Sequence, residues 1–284
     1  MLGIQSYNFL DASGLTKHEA RTRGEPKLAK QIIDLAVSLT DQIASDPPGL
    51  GPQITYVDHA TGAAEFSQMF GVPMDEFRDG AGAAVERMVL STHNGTHMDA
   101  PWHYHPTMDG GARAITIDEV PLEWCMGRGV KLDFRDRPNG HTISAAEVEA
   151  ELARIDHTMQ EGDIVLVNTP AGARYGQDDY VMTGCGMGRE ATLYLTDRGM
   201  KVCGTDAWSW DAPLMGQAKQ ARETGDWSVF WEGHKAGADT VYCHMEKLGN
   251  LELLPATGFE VIALPVKVAK GSAGWCRPVA ILNS

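Results

Sequence analysis

The sequence predicts one mixed α/β domain, on three observations. β-type runs recur along the chain, helices with capping signals interrupt them, and no linker long enough to divide the 284 residues appears. The first expected element is an amphipathic helix over 24–36, where Leu28, Ile32, Ile33 and Leu35 fall at roughly helical spacing. A strand-like Val-Ser-Leu at 37–39 then runs into a Pro- and Gly-rich loop, and QITYVDH at 53–59 reads as the next β-type run. Further strands are expected at 86–93, 129–134, 163–169, 201–206 and 259–266, each rich in β-branched or apolar residues. Ser144 with Glu147 forms a capping box before a helix whose apolar face is Val148, Leu152 and Ile155. A second helix over 188–199 ends on Arg198 and Gly199, a last-turn cation and a C-cap glycine. The whole of 1–284 is expected to be this one domain, with about the first 30 residues as an N-terminal arm.

Composition narrows the partners. A hydrophobic share of 43% and a charged share of 22% are those of an ordinary folded chain. A net charge of -14 opposes nucleic-acid phosphates and anionic membranes, which leaves small molecules and proteins. The five cysteines are scattered with no C-x-x-C pair, as expected of reduced thiols. With no signal-peptide pattern at the N-terminus and no membrane-length apolar run, the expected location is the cytoplasm.

The densest chemistry lies in STHNGTHMDAPWHYH at 91–105, where His93, His97, Asp99 and His103 fall within eleven positions. If the segment is extended, His93, Gly95, His97 and Asp99 share one face. Gly95 then leaves room for an ion, and Pro101 turns the chain toward His103. Structural zinc sites usually close four protein ligands around the ion, often cysteines, so His, His and Asp point instead to a site with open positions. A divalent metal is therefore expected, zinc or manganese.

The stretch HNGTHMDAPWH resembles the H-x-G-T-H-x-D-x-P-x-H signature of the cyclase-like metal-dependent hydrolases, the group of bacterial kynurenine formamidase and isatin hydrolase. The resemblance extends to VSLTDQIASDPPG at 37–49, GTDAWSWDAP at 204–213, MEKLGNLELLP at 245–255 and GSAGWCRPVAIL at 271–282. It implies a swivelling β/β/α domain, a mixed sheet with flanking helices, assembled as a homodimer or homotetramer. By the same resemblance His93 and His97 bind a first metal, Asp99 binds or bridges, and His103 is the catalytic acid/base. His234 and Glu246, twelve positions apart, complete a second site, giving one or two ions per chain. Asp41 and Met245 depart from the family pattern without touching the signature.

The implied reaction is hydrolysis of a C–N bond in a formamide or cyclic amide. At least one of Trp102, Trp208 and Trp210 is expected to line a pocket for an aromatic substrate, core packing being the alternative for each, and Ser209 to hydrogen-bond either the substrate's carboxylate or local backbone. Other readings stay open: His103 as a third ligand, a metal-dependent cyclase or dehydratase, or a non-catalytic metal-binding assembly protein. His18, His59, His141, His157 and His244 are expected to be surface or structural, and His105 a solvated loop residue. The glycines of TGCGMGRE at 183–190 lack a complete nucleotide-loop pattern and read as turn geometry.

Overall fold

The computed structural model describes residues 30–283, so the expected arm, His18 and the start of the 24–36 helix lie outside it. Within the described residues, β1 (Lys30–Asp34) is followed by β2 (Gln53–Val57), α1 (His59–Phe70) and β3 (Val85–Val89). Next come β4 (His97–Asp99), the one-turn helix α2 (Pro101–Tyr104) and a small hairpin of β5 (Thr107–Met108) and β6 (Ala112–Arg113). The middle of the chain holds β7 (Met126–Asp133), β8 (Thr142–Ile143), α3 (Ala145–Arg154), β9 (Ile164–Asn168), β10 (Gly186–Met187), α4 (Arg189–Thr196) and β11 (Val202–Thr205). It closes with α5 (Leu214–Thr224), α6 (Glu232–Lys235), β12 (Cys243–Glu246), β13 (Phe259–Ile262), β14 (Ala273–Trp275) and β15 (Val279–Asn283).

Nine strands form one mixed sheet in the order β1-β15-β13-β7-β9-β11-β12-β4-β14. The inner strands β7, β9, β11 and β12 run parallel. Those outside them pair antiparallel. The sheet curls. Ala36, just past β1, bridges Leu248, just past β12, although the two strands stand far apart in the order. One apolar cluster accordingly gathers Ile33, Phe259, Leu166, Met245 and Met98 from across the sheet. On the other face Val130, Val165, Val167 and Cys203 pack against Val148 and Leu152 of α3 and Ala191 and Leu195 of α4. Alternate residues of β9 thus enter different clusters, as the two-residue period of a strand dictates.

The expected helix over 24–36 is corrected by β1. Ile33 and Leu35 are buried while Ile32 is 65% exposed, a period of two that tertiary pairing with β15 selects over the weak helical spacing. QITYVDH stops as a strand at Val57, because the Asp58 carboxylate accepts from Thr61 N–H and caps α1, an element without strong sequence signals. The 86–93 run likewise ends at Val89, before a turn. The Val-Ser-Leu run at 37–39 is not a strand, its neighbour Ala36 making only an isolated bridge to Leu248; the strands expected at 129–134, 163–169, 201–206 and 259–266 and both helices are present, and Gly199 adopts a φ of 93° just beyond α4. All five cysteines are buried and unpaired, and no helix among the described residues is long and apolar enough to cross a membrane.

Both halves of the α3 capping box form, Ser144 Oγ accepting from Glu147 N–H and the Glu147 carboxylate accepting from Ser144 N–H. Ser144→Ala is expected to cost about 1 kcal/mol, read as a lowered midpoint in urea unfolding with an unchanged m-value. An unchanged midpoint would show that α3 is held by packing alone.

Candidate metal centre

The register of two strands creates the site. β4 and β12 pair antiparallel with His97 opposite Glu246, Met98 opposite Met245 and Asp99 opposite His244. Strand alternation then puts His97, Asp99, His244 and Glu246 on one face and both methionines in the core. Met245 is therefore the core-facing neighbour of Glu246, which accounts for an apolar residue there.

Other segments bring in the remaining groups. His93 sits in the turn before β4, and Gly95 has a φ of 63°, so the extended run expected from 93 to 99 breaks at Gly95. A Cβ at Gly95 would come within 2.6 Å of Leu39, so the glycine serves the turn and this close packing rather than making room for an ion. Pro101 occupies the first turn of α2, and this helix directs His103 Nε2 to 3.8 Å from Asp99 Oδ2. His93 Nδ1 lies 2.9 Å from Asp99 Oδ1, while its Nε2 meets the Ser272 hydroxyl at 3.1 Å. His97 donates from Nδ1 to the Gly95 carbonyl at 2.9 Å, leaving Nε2 3.3 Å from Asp99 and 3.6 Å from Glu246. His234, on α6, holds the Asp211 carboxylate with Nδ1 at 2.5 Å and turns Nε2 toward Glu246 at 3.6 Å.

These residues fit a metal. His97 Nε2 and both Asp99 carboxylate oxygens are buried without a hydrogen-bond partner, which is costly unless a cation receives them. The outer nitrogens of His93, His97 and His234 all have partners, the arrangement that fixes a ligand's tautomer and ring orientation. Two donor groups, Asp99 with His234, His244 and Glu246, and Asp99 with His93 and His103, share the one carboxylate.

The electrostatics follow from burial and crowding. Burial opposes charge on Asp99, but the histidines around it hold its carboxyl well below the usual range. Glu246 is brought down to about 2 against the same burial by its hydrogen bond from His244. Burial lowers His103 to about 4, so its imidazole is neutral at pH 7 and free to accept a proton. Burial would also lower His244, yet its contacts with Asp99 and Glu246 raise it to about 9.

The expected metal residues His93, His97, Asp99, His234 and Glu246 converge with His103 beside them, whereas the expected aromatic lining does so only in part. Trp208 lines a cavity of about 180 Å³ with Pro47, Leu50, His93, Glu246 and Lys247. Trp210 does not, being fully buried with its indole N–H on Thr192 and its ring stacked on His244 at 5.7 Å. Its large apolar area is used in packing, and its backbone N–H donates to Glu246 at 3.0 Å. Ser209 is buried and Trp102 is 42% exposed on α2, and neither is part of that lining.

Two participants escaped the sequence reading. His244, expected at the surface or in a structural role, is fully buried inside the cluster; its position two residues before Glu246 in a strand was the available signal. Asp211, the second aspartate of GTDAWSWDAP, accepts from Gly233 N–H, His234 N–H and the His234 ring. The first, Asp206, is pushed up to about 7 by burial and joins the ends of β9 and β11 through Asn168 and Thr169. His59, His141 and His157 bond Gly82, Glu147 and Asp163, away from the cluster.

The model of the putative cyclase family matches residues 33–212. Kynurenine formamidase from Erythrobacter litoralis is 29% identical over 206 residues, 72% of this chain and 79% of that one. Kynurenine formamidase from Salinibacter ruber is 29% identical over 191 residues, 67% and 76% of the two chains. Among solved structures, an isatin hydrolase bound to the product analogue thioisatinate superposes with a TM-score of 0.69 at 19% identity, over 90% of this chain and 93% of that one. Isatin hydrolase A from Ralstonia solanacearum gives a TM-score of 0.68 at 19% identity, over 89% and 92%. These structures share the curled mixed sheet and its flanking helices. With the matched span taking in the whole of His93 to His103, the chain belongs to the putative cyclase family.

Proposed function

We propose that the protein is a metal-dependent hydrolase that opens a C–N bond in an aryl formamide or a cyclic amide. The observation that carries this reading is the convergence of unpartnered buried donor atoms on Asp99, with a neutral histidine beside them at the edge of the cluster. The similarity to kynurenine formamidases and to isatin hydrolase structures supports the same bond type.

In this reading His93, His97, Asp99, His234 and Glu246 hold a divalent ion, zinc or manganese. The ion supplies Lewis-acid chemistry, lowering the pKa of water to ~7 and polarising a carbonyl. His103 accepts a proton at Nε2 and delivers it to the leaving nitrogen, a role that needs the neutral imidazole its burial provides. Trp208, Leu50 and Pro47 present an apolar wall that excludes water and suits a flat ring. Assembly as a homodimer or homotetramer belongs to the same proposal, with exposed Tyr56, Met69, Phe70 and Val89 supplying apolar surface for contact.

The test is hydrolysis of N-formylkynurenine and isatin by protein purified without chelator. Turnover is expected to vanish on chelation and return with zinc or manganese. His103→Ala is expected to retain its metal and lose about 10²- to 10⁴-fold in kcat. A folded protein that binds no metal and turns over neither substrate sinks the proposal. Asp211→Asn, which removes the carboxylate behind His234, is expected to weaken metal binding about 10- to 100-fold in chelator competition. Unchanged affinity would remove His234 from the ligand set.

A further inference from the structure

We propose that Trp231 is a substrate-binding residue, its indole forming an aromatic wall beside His103 against which a flat ring on the amide's leaving nitrogen lies. The inference rests on the hydrolase reading above, narrows it to amides of aromatic amines, and concerns a residue that reading leaves unused.

The indole stands on the more open side of the cluster. It is stacked on the His234 ring at 4.7 Å with 22° between the planes, and it meets the His103 ring edge-on at 5.9 Å. His103 also has the His93 ring at 4.3 Å, and it is His93, not Trp231, that borders the Trp208 cavity. The two tryptophans therefore approach His103 by way of different neighbours. A nitrogen that takes a proton from His103 must come within about 2.6–3.2 Å of it. A ring bonded to that nitrogen then lies within stacking reach of the groups around His103. Of these, His93 and His234 are polar and Tyr104 is buried, which leaves Trp231 as the accessible apolar plane.

Packing alone does not account for this residue. Trp210 shows what a packing tryptophan looks like here, fully buried with its indole N–H on Thr192. Trp231 is only half-buried, and its indole N–H is not among the buried unpartnered atoms. Its backbone is left-handed, at φ 58° and ψ 34°, a conformation that a bulky side chain adopts at a cost and that glycine or asparagine would meet more easily. The surroundings hold it there. Its N–H donates to Gln217 Oε1 at 2.9 Å and its carbonyl accepts from Lys235 N–H at 3.0 Å. Gln217 is itself buried and donates to Asp211, the carboxylate that holds His234. One frame thus fixes a strained, half-exposed indole and the imidazole beneath it, as strain kept at a working site requires.

The test compares a flat ring with a puckered one of similar size. Binding of phenylurea and cyclohexylurea, amide analogues that resist hydrolysis, is titrated by ligand NMR against zinc-loaded wild type, Trp231→Phe and Trp231→Leu. In parallel, kcat/KM is measured for formanilide and N-cyclohexylformamide. Trp231→Phe is expected to keep the wild-type preference for the phenyl member of each pair, and Trp231→Leu to lose about 2- to 10-fold of it. General damage to the site would weaken both members alike and leave the ratio unchanged. An unchanged ratio in Trp231→Leu, or no binding of phenylurea to wild type, overturns the proposal. Cleavage of formanilide with a preference independent of Trp231 overturns it while the hydrolase reading stands. A Trp231-dependent preference in binding, without cleavage of either formamide, keeps the aromatic wall and sinks the hydrolase reading. If Trp231→Leu does not fold, a wild-type crystal soaked with phenylurea decides. A phenyl centroid about 4.5–7 Å from the indole supports the proposal, and a ring seated elsewhere overturns it.

Discussion

The pairing of β4 with β12 is the constraint on which the rest of the site depends. It sets His97 against Glu246 and Asp99 against His244, so four polar side chains from segments almost 150 positions apart meet on one face. A slip of one residue would send Met98 and Met245 to that face and drive the polar groups into the apolar core, so the register is strongly specified. β14 fixes the other side of β4, pairing Gly274 with Met98; a Cβ at Gly274 would come within 2.4 Å of the Val266 carbonyl. Asp99 pays for this position with complete burial, and the histidines gathered around its carboxylate are what make that burial tolerable.

A second buried charge pair links the cluster to its access loop. Lys247, directly after Glu246, pairs with Asp46 and also donates to the His93 carbonyl at 2.9 Å. Asp46 in turn accepts from the Trp208 indole and from Asn94, at 3.0 Å each. One ion pair thereby couples the loop around Pro47 and Leu50, the turn carrying His93 and the segment carrying Trp208. Paired charges at this depth add little net stability, because desolvation offsets their attraction. Their effect here is positional: the cavity wall, the turn carrying His93 and the end of β12 are held in one frame.

Much of this was legible in the sequence because the strongest signals are local. The Ser144 capping box, the inner strands of the sheet and the signature from His93 to His103 each depend on a few consecutive residues. The errors arose where a distant partner decides the outcome. Ile32 and Ile33 suit a helix until β15 offers a ladder, and the His93 side chain reaches Asp99 from a turn that local parity could not describe. Trp210 resembled pocket lining because aromatics serve both purposes, and only the packing of its ring on His244 separates the two. His244 was overlooked for want of a partner in sequence, yet the parity argument used for Asp99 applies to it as soon as Glu246 is placed on a strand.

The origin of each residue also decides which side of the cluster faces solvent. Groups carried by β4 and β12 are almost wholly buried, at 0% exposure for His97, Asp99 and His244 and 7% for Glu246. His93 and His103 come from a turn and a one-turn helix, and each keeps 27% of its side chain exposed. The sheet side is therefore largely closed by backbone pairing and aromatic stacking, and the most exposed groups of the cluster are the two histidines outside the strands, with Glu246 bordering the Trp208 cavity. His93 also borders the cavity that Trp208 lines, so a ring seated there approaches the side on which His103 stands. Rigid strands hold the charge, while the short elements around them carry the two histidines that reach solvent.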